Sequence, residues 1–212
     1  LGPQDVIIMT TKTTSFGSVA PQLQHISHPE TKFVFGANGI FWFYGDGFAP
    51  NGVAPNLDFL DPERRLHNIV GVGRSYGLVI RSPNEVIEPG IVQNKGGGNF
   101  IIGPALEENM TNAETIALFM SGAGFEIKAS ANIRGEMWRK LVKNFMALIV
   151  TLTHTSSNQV LCDPECLTVA ETLLNEVKAV AVAQGFPAGD FDVNKIIADF
   201  KEAPIITPSL LQ

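Results

Sequence analysis

Between residues 5 and 40 the apolar positions fall in blocks: DVIIMTTK (5–12), a helix-like stretch around 15–24, and KFVFGANGI (32–40). A short, unbroken, β-branched run with a polar exit is the pattern of a strand covered on both faces. Two such runs flanking a helical segment predict a strand–helix–strand crossover. From 66 to 102 the pattern changes. LHNIVGVGRSYGLVIRS and NEVIEPGIVQNKGGGNFIIGP intersperse short strands with Gly and Asn turns, which predicts an antiparallel extension of the sheet. NAETIALFMSGAGFEIKAS (112–130) then reads as helix, glycine stop and short strand.

Beyond Ser130 the period lengthens to that of helices. Segments 132–150, 164–186 (capped near Gly185) and 191–203 are predicted helical, with VTLTH the only strand candidate. An α/β half thus ends near residue 130 and an all-α half follows, giving domains 1–130 and 131–212. No internal repeat is present. PNGVAPN, around residue 51, reads as a loop and receives no chemistry.

The helix NIRGEMWRKLVKNFMA (132–147) carries the first chemical anomaly. At about 100° per residue, Ile133, Met137, Trp138, Leu141, Phe145 and Ile149 share one broad arc, with Glu136, Arg139 and Lys143 opposite. Lys140 falls at the edge of the apolar arc and Asn144 inside it. A lysine there either snorkels to water or faces a ligand; on the residues alone snorkelling is the simpler reading.

Composition narrows the field. The chain has 212 residues, 45% hydrophobic and 17% charged, as in a globular protein with a substantial core. A formal charge of −6 offers no field for a polyanion, so sequence-independent nucleic-acid binding is not expected. No apolar run reaches the 18 or so residues of a membrane span. Cys162 and Cys166, in CDPEC, lack the spacing and companions of a metal site and are read as ordinary thiols, in keeping with a reducing cytoplasm. His25, His28, His67 and His154 show no ligand spacing and no obvious carboxylate partner. They are read as surface or packing residues, and no metal is expected.

Asn38-Gly39 stands at the end of the second predicted strand, and Lys12 at the end of the first. Open α/β sheets bind ligands at that edge, so a carboxamide and an ammonium there suit a polar ligand. Equally, Lys12 is a solvated lysine and Asn38 a turn former before glycine. Gly96-Gly97-Gly98 precedes no helix and reads as a hairpin turn rather than a phosphate loop.

NIRGEMWRKLVKN resembles the opening of the C-terminal helical domain of the ketopantoate reductase (2-dehydropantoate 2-reductase) family, which runs approximately I-x-x-x-x-W-x-K-L-x-x-N. The strand ending in Lys12, Asn38-Gly39, the GIVQ…IIGP hairpin and the terminal PSLLQ agree in the same order. The resemblance implies the second part of a Rossmann-type nucleotide-binding domain followed by an all-α domain like that of 6-phosphogluconate dehydrogenase. It also implies NADPH-dependent reduction of 2-dehydropantoate to pantoate, as in pantothenate and coenzyme A biosynthesis. Lys140 matches the family's general acid, a role that suits a positioned ammonium facing the oxyanion left by hydride addition. That role would place it at the wall of the crevice between the two domains. Asn144, Asn158 and Ser209 match substrate-binding residues. Lys12 matches the lysine near the nicotinamide ribose, and Asn38 the asparagine that touches cofactor and substrate. Family members often pair, so a homodimer is implied, in the cytoplasm.

Two departures modify these expectations. A second family asparagine, four residues after the first, is replaced by Leu148, which favours a more apolar branched or aromatic 2-keto acid. The glycine-rich turn that seats the pyrophosphate belongs before Leu1, and a further acidic residue beyond Gln212. The sequence therefore reads as an excerpt of a longer chain that by itself should bind NADPH poorly. A non-catalytic binding or dimerising module with the same fold is the remaining alternative.

Overall fold

The structure is a computed structural model that describes residues 2–49, 52–82, 84–94, 98–124, 126–155 and 157–202. The chain divides into two compact units, Leu1–Pro83 with Lys95–Met137, and Asn84–Asn94 with Trp138–Gln212.

The first unit is built on a five-stranded sheet. β1 (Val6–Met9) and β2 (Lys32–Phe35) are parallel, with Val6 opposite Lys32 and Met9 opposite Phe35. Between them runs α1 (Phe16–Leu23), which buries Phe16, Ala20 and Leu23, one residue per turn. The Phe16 ring meets Phe35 edge-on at 5.3 Å. The crossover read from 5–40 is therefore present. Among the described residues β2 is the sheet neighbour of β1, and Ile8 on β1 is 45% exposed.

Residues 65–69 differ from the sequence reading. LHNIV looked like the start of a strand, yet Arg65–Ile69 forms α2. The deciding group lies upstream. The Asp61 carboxylate accepts the backbone N–H groups of Leu66 at 2.7 Å and His67 at 3.1 Å, satisfying donors that open a helix. The strand begins later, as β3 (Ser75–Arg81), parallel to β2.

The antiparallel extension is split between two sheets. β4 (Asn84–Glu88) and β5 (Ile91–Asn94) pair with each other in a separate ribbon, while β6 (Asn99–Pro104) runs antiparallel to β3. The GIVQ and IIGP strands thus do not form one hairpin, and Gly96 and Gly97 lie outside the described residues. α3 (Met110–Ser121) then returns the chain to β7 (Glu126–Ala129), parallel to β6, closing the order β1-β2-β3-β6-β7. The core around α3 contains Val34, Tyr76, Leu78, Ile102 and Ile116.

Register partners Gly77 and Gly103 form a notch in this sheet. A Cβ on Gly77 would come within 2.6 Å of the Phe41 ring and 3.0 Å of Ile133. One on Gly103 would overlap the Ser130 carbonyl oxygen and come within 2.7 Å of the Ile133 Cβ. Ile133, 1% exposed, is the first residue of α4 (Ile133–Thr153), so the missing side chains make room for the base of that helix.

The second unit is helical apart from the β4–β5 ribbon. It contains α4 from Trp138 onward, α5 (Ser157–Val160), α6 (Pro164–Ala183) and α7 (Val193–Glu202). VTLTH is not a strand: its first residues belong to α4, which ends before His154 at φ +51. α6 starts on Asp163, whose carboxylate accepts from Glu165 and Cys166 at 2.9 and 3.0 Å, with Pro164 in the first turn. It buries Ala170, Leu174, Val177 and Ala181. It ends at Gly185, φ +80, where the Phe186 N–H donates back to the Ala181 carbonyl at 2.9 Å. Arg139 lies over the Phe186 ring and pairs with Asp190 at 2.6 Å. Among the described residues no helix is long and apolar enough to cross a membrane.

Candidate functional site

Lys12 and Asn38 occupy equivalent places. Met9 and Phe35 are register partners, and each residue follows its partner by three positions, so both stand beyond the carboxyl ends of adjacent parallel strands. Both are exposed. The Gly36 N–H donates to the Met9 carbonyl at 2.8 Å, carrying the pairing one step past β2 before the chain turns. Gly39 adopts φ +100, and a Cβ there would meet nothing within 4 Å. The Gly39 backbone is thus open on the side a side chain would occupy, which lets a ligand at this sheet edge approach closely.

On α4 the buried set is rotated from the sequence expectation. Ile133, Met137, Trp138 and Ile149 are buried as expected, but Val142 and Met146 join them, and Leu141 and Phe145 are only half-buried. Glu136 and Arg139 are half-buried too, because they pair with Arg81 at 3.1 Å and with Asp190. Lys140, Asn144 and Leu148 are all half-buried and one turn apart, so they form a ridge with two polar groups and one apolar group. Asn144 therefore lies on the flank of the buried stripe rather than inside it. Asn158 lies on α5, its side chain outside the description, and Ser209 falls outside the described residues.

Sequence reasoning missed a cluster centred on His67. Its Nδ1 lies 2.5 Å from Asp61 Oδ2, and its Nε2 lies 3.0 Å from both carboxylate oxygens of Asp46. The Trp42 ring meets the imidazole edge-on at 4.7 Å. A cavity of ≈ 140 Å³ opens beside these groups, walled also by Pro55, Asn56 and Arg64. The loop assigned no chemistry therefore supplies part of a pocket. His28 likewise has a carboxylate partner, Asp5 at 3.1 Å. Asp46 lies 21 residues away and Asp61 stands outside α2, so His67 shares no helix or strand with either partner. The residue pattern therefore carried no signal. Among the described residues no group of three or more His, Cys, Asp or Glu side chains is placed to hold a metal ion.

Asp61 both caps α2 and holds His67. Its replacement by alanine is expected to destabilise the full-length protein by about 2 kcal/mol, or roughly 4–8 °C in Tm. Calorimetry checks this; a melting point within about a degree of wild type would show that the cap contributes nothing.

Arg134 was also passed over. It stands in the first turn of α4, with its guanidinium spread over four main-chain carbonyls: Tyr44 at 2.8 Å, Ala105 at 3.1 Å, Phe43 at 3.2 Å and Asp46 at 2.7 Å. The Phe48, Tyr44 and Phe43 rings lie 5.3, 5.9 and 6.0 Å from its central carbon. Burial pushes its pKa below the ordinary arginine value, an effect opposed by Tyr44 once its phenol ionises and by the Asp46 carboxylate. It nonetheless stays a cation.

A mostly parallel sheet followed by a helical stretch defines an α/β protein with a helical C-terminal region. Residues 132–212 match the ketopantoate reductase PanE/ApbA C-terminal family. The chain is 27% identical over 192 residues to the 2-dehydropantoate 2-reductase of Mesorhizobium japonicum, covering 89% of this chain and 59% of that protein. The chain is thus similar to a ketopantoate reductase over most of its length, and residues 132–212 match the C-terminal region of that family.

The fold is shared with a ketopantoate reductase-type protein of Ralstonia solanacearum (TM-score 0.88, 24% identity, 100% of this chain, 65% of that one). It is shared also with D-mandelate dehydrogenase in its complex with NADH and anilino(oxo)acetate (TM-score 0.77, 20% identity, 99% and 63%). The chain thus spans somewhat less than two thirds of the length of each of these proteins.

Proposed function

We propose that this chain is part of a nicotinamide-dependent oxidoreductase that reduces a 2-keto acid to the 2-hydroxy acid, with NADPH as coenzyme and 2-dehydropantoate as substrate. The observation that carries this reading is the ridge on α4. A lysine and an asparagine lie half-buried, one turn apart, within the segment that matches the family. Residues 1–130 are assigned to coenzyme binding, and residues 131–212 to substrate binding and homodimer formation.

Bound coenzyme supplies the hydride. Lys12 and Asn38, beyond the ends of β1 and β2, would hold its nicotinamide end, with the bare Gly39 backbone allowing close approach. The Lys140 ammonium donates an N–H to the keto oxygen, holds the negative charge that develops there, and passes the proton to it. Asn144 offers an amide donor and acceptor to orient the acid, a task in which Asn158 and Ser209 are proposed to join. Asn38 reaches substrate as well as coenzyme. A cytoplasmic setting is supported by the two cysteines, both free thiols.

Leu148, on the same ridge, favours a second reading: a branched or aromatic 2-keto acid without hydroxyls to bind. An apolar side chain at this third place adds contact area but no hydrogen bond. Coenzyme oxidation by the full-length protein, measured over 2-dehydropantoate and its unhydroxylated branched and aromatic analogues, separates the two. A kcat/KM at least about tenfold higher for 2-dehydropantoate supports the first reading, since a site built for hydroxyls rejects analogues lacking them. The reverse order supports the second. Absence of keto-acid-dependent oxidation across the panel refutes both.

A further inference from the structure

We infer that Arg134 is a positioning residue for the proposed reduction, fixing the segment that follows Asn38 to the first turn of the helix that carries Lys140. The inference rests on the reading given above and extends it to a side chain that touches neither reactant.

Turn bonds within 41–48 use the carbonyls of Phe41, Phe43 and Gly45, and the segment takes further donors from outside. Arg134 supplies them for three residues, Phe43, Tyr44 and Asp46, and adds the Ala105 carbonyl just past β6. One rigid, planar group therefore joins the loop after Asn38-Gly39, the exit of β6 and the base of α4. Lysine cannot reproduce this junction. Its ammonium is a compact point charge, whereas the guanidinium spreads donors over a fixed fork. The rings of Phe43, Tyr44 and Phe48, 5.3–6.0 Å from its central carbon, add cation–π attraction to these bonds.

Ile133, the preceding residue, is seated in the Gly77–Gly103 notch. The first turn of α4 is thus fixed by packing on one side and by carbonyl bonds on the other. From there α4 runs unbroken to Thr153. At about 1.5 Å per residue, Lys140 lies roughly 9 Å along the axis from Arg134, close enough for a tilt of the first turn to move it. A misplacement of about 1 Å in a reacting group costs on the order of a hundredfold in rate.

The test uses the full-length protein with Arg134→Lys, and with Phe48→Ala as the milder variant that spares every hydrogen bond. Turnover of the best 2-keto acid of the panel is measured with protiated and deuterated reduced coenzyme, alongside coenzyme Kd by fluorescence and amide hydrogen exchange over 41–48. In Arg134→Lys we expect kcat to fall about 10–100-fold and the isotope effect on kcat to rise as hydride transfer becomes slow. Coenzyme Kd should stay within about threefold, and exchange over 41–48 should quicken. Phe48→Ala should shift the same quantities in the same direction by less.

A purely structural role lowers the folded fraction but leaves kcat per folded enzyme, and the isotope effect, at wild-type values. That result, or unchanged exchange over 41–48 in both variants, overturns the inference. Wild-type protein inactive on every keto acid overturns the proposed function and this inference with it, whereas active wild type with an unaltered isotope effect in the variants overturns the inference alone.

Discussion

Replacing Lys140 with alanine in the full-length protein is expected to lower kcat on the 2-keto acid by about 10²–10⁴-fold, the usual worth of a positioned general acid. Coenzyme affinity should change little, because the coenzyme contacts are assigned to Lys12 and Asn38 on the other unit. Lys140→Arg should fail almost as badly. The guanidinium keeps the charge and stabilises the oxyanion in part, but it does not release its proton in the accessible pH range. The half-buried position strengthens this expectation: an ammonium partly withdrawn from water acts in a lower effective dielectric, so its interaction with a developing oxyanion is larger than at a surface. Steady-state and single-turnover rates of the two variants measure the effect. Turnover of Lys140→Ala at the wild-type rate would remove Lys140 from the chemistry.

The legible parts of the fold were those in which one strong pattern had no rival. The runs at 6–9 and 32–35 are short, apolar and β-branched, and they form the parallel pair. The stop at Gly185 was legible because a Schellman turn needs a residue that accepts positive φ. Arg65–Ile69 was not, since the apolar spacing of LHNIV fits a strand as well as a helix. The choice is made by a carboxylate at Asp61 that the period does not register. β4–β5 and β6 were misjoined for a related reason: alternation identifies strands, not their partners.

The candidate site stood out only where the residues broke a pattern. Lys140 and Asn144 stood out as polar positions beside an apolar arc, and the structure places both on a half-buried ridge. The buried stripe of α4 also takes in Val142 and Met146, which turns it relative to the arc read from the sequence. His67 and Arg134 broke no pattern. A histidine and an arginine among charged neighbours look like surface residues, and their partners, Asp46 and the carbonyls of 43–46 and 105, come from distant sequence. Leu148 works the other way: its position on the ridge gives an apolar substitution, first noticed as a departure from a motif, a place where substrate shape would be felt.

The two notch glycines offer a graded test of how α4 is seated. Gly103→Ala is expected to destabilise the full-length protein by at least about 3 kcal/mol, or roughly 6–12 °C in Tm. The added methyl overlaps the Ser130 carbonyl oxygen, and the N–H of the same residue donates to the Ile102 carbonyl at 2.8 Å, which ties Ser130 to β6. Neither the oxygen nor the Ile133 Cβ beyond it can yield without shifting backbone. Gly77→Ala meets the far end of the Phe41 ring instead. A ring can rotate or slide where a carbonyl cannot, so about 1–2 kcal/mol is expected. Gly73→Ala is the control: nothing lies within 4 Å of its Cβ, and the glycine does not hold a positive φ, so the melting point should rise slightly or stay put. Calorimetry of the three variants should therefore rank them Gly103, Gly77, Gly73 in order of damage. If Gly103→Ala melts with the control, the base of α4 is not seated against β6 as described, and the argument that Arg134 and Ile133 together fix the helix carrying Lys140 loses its packing half.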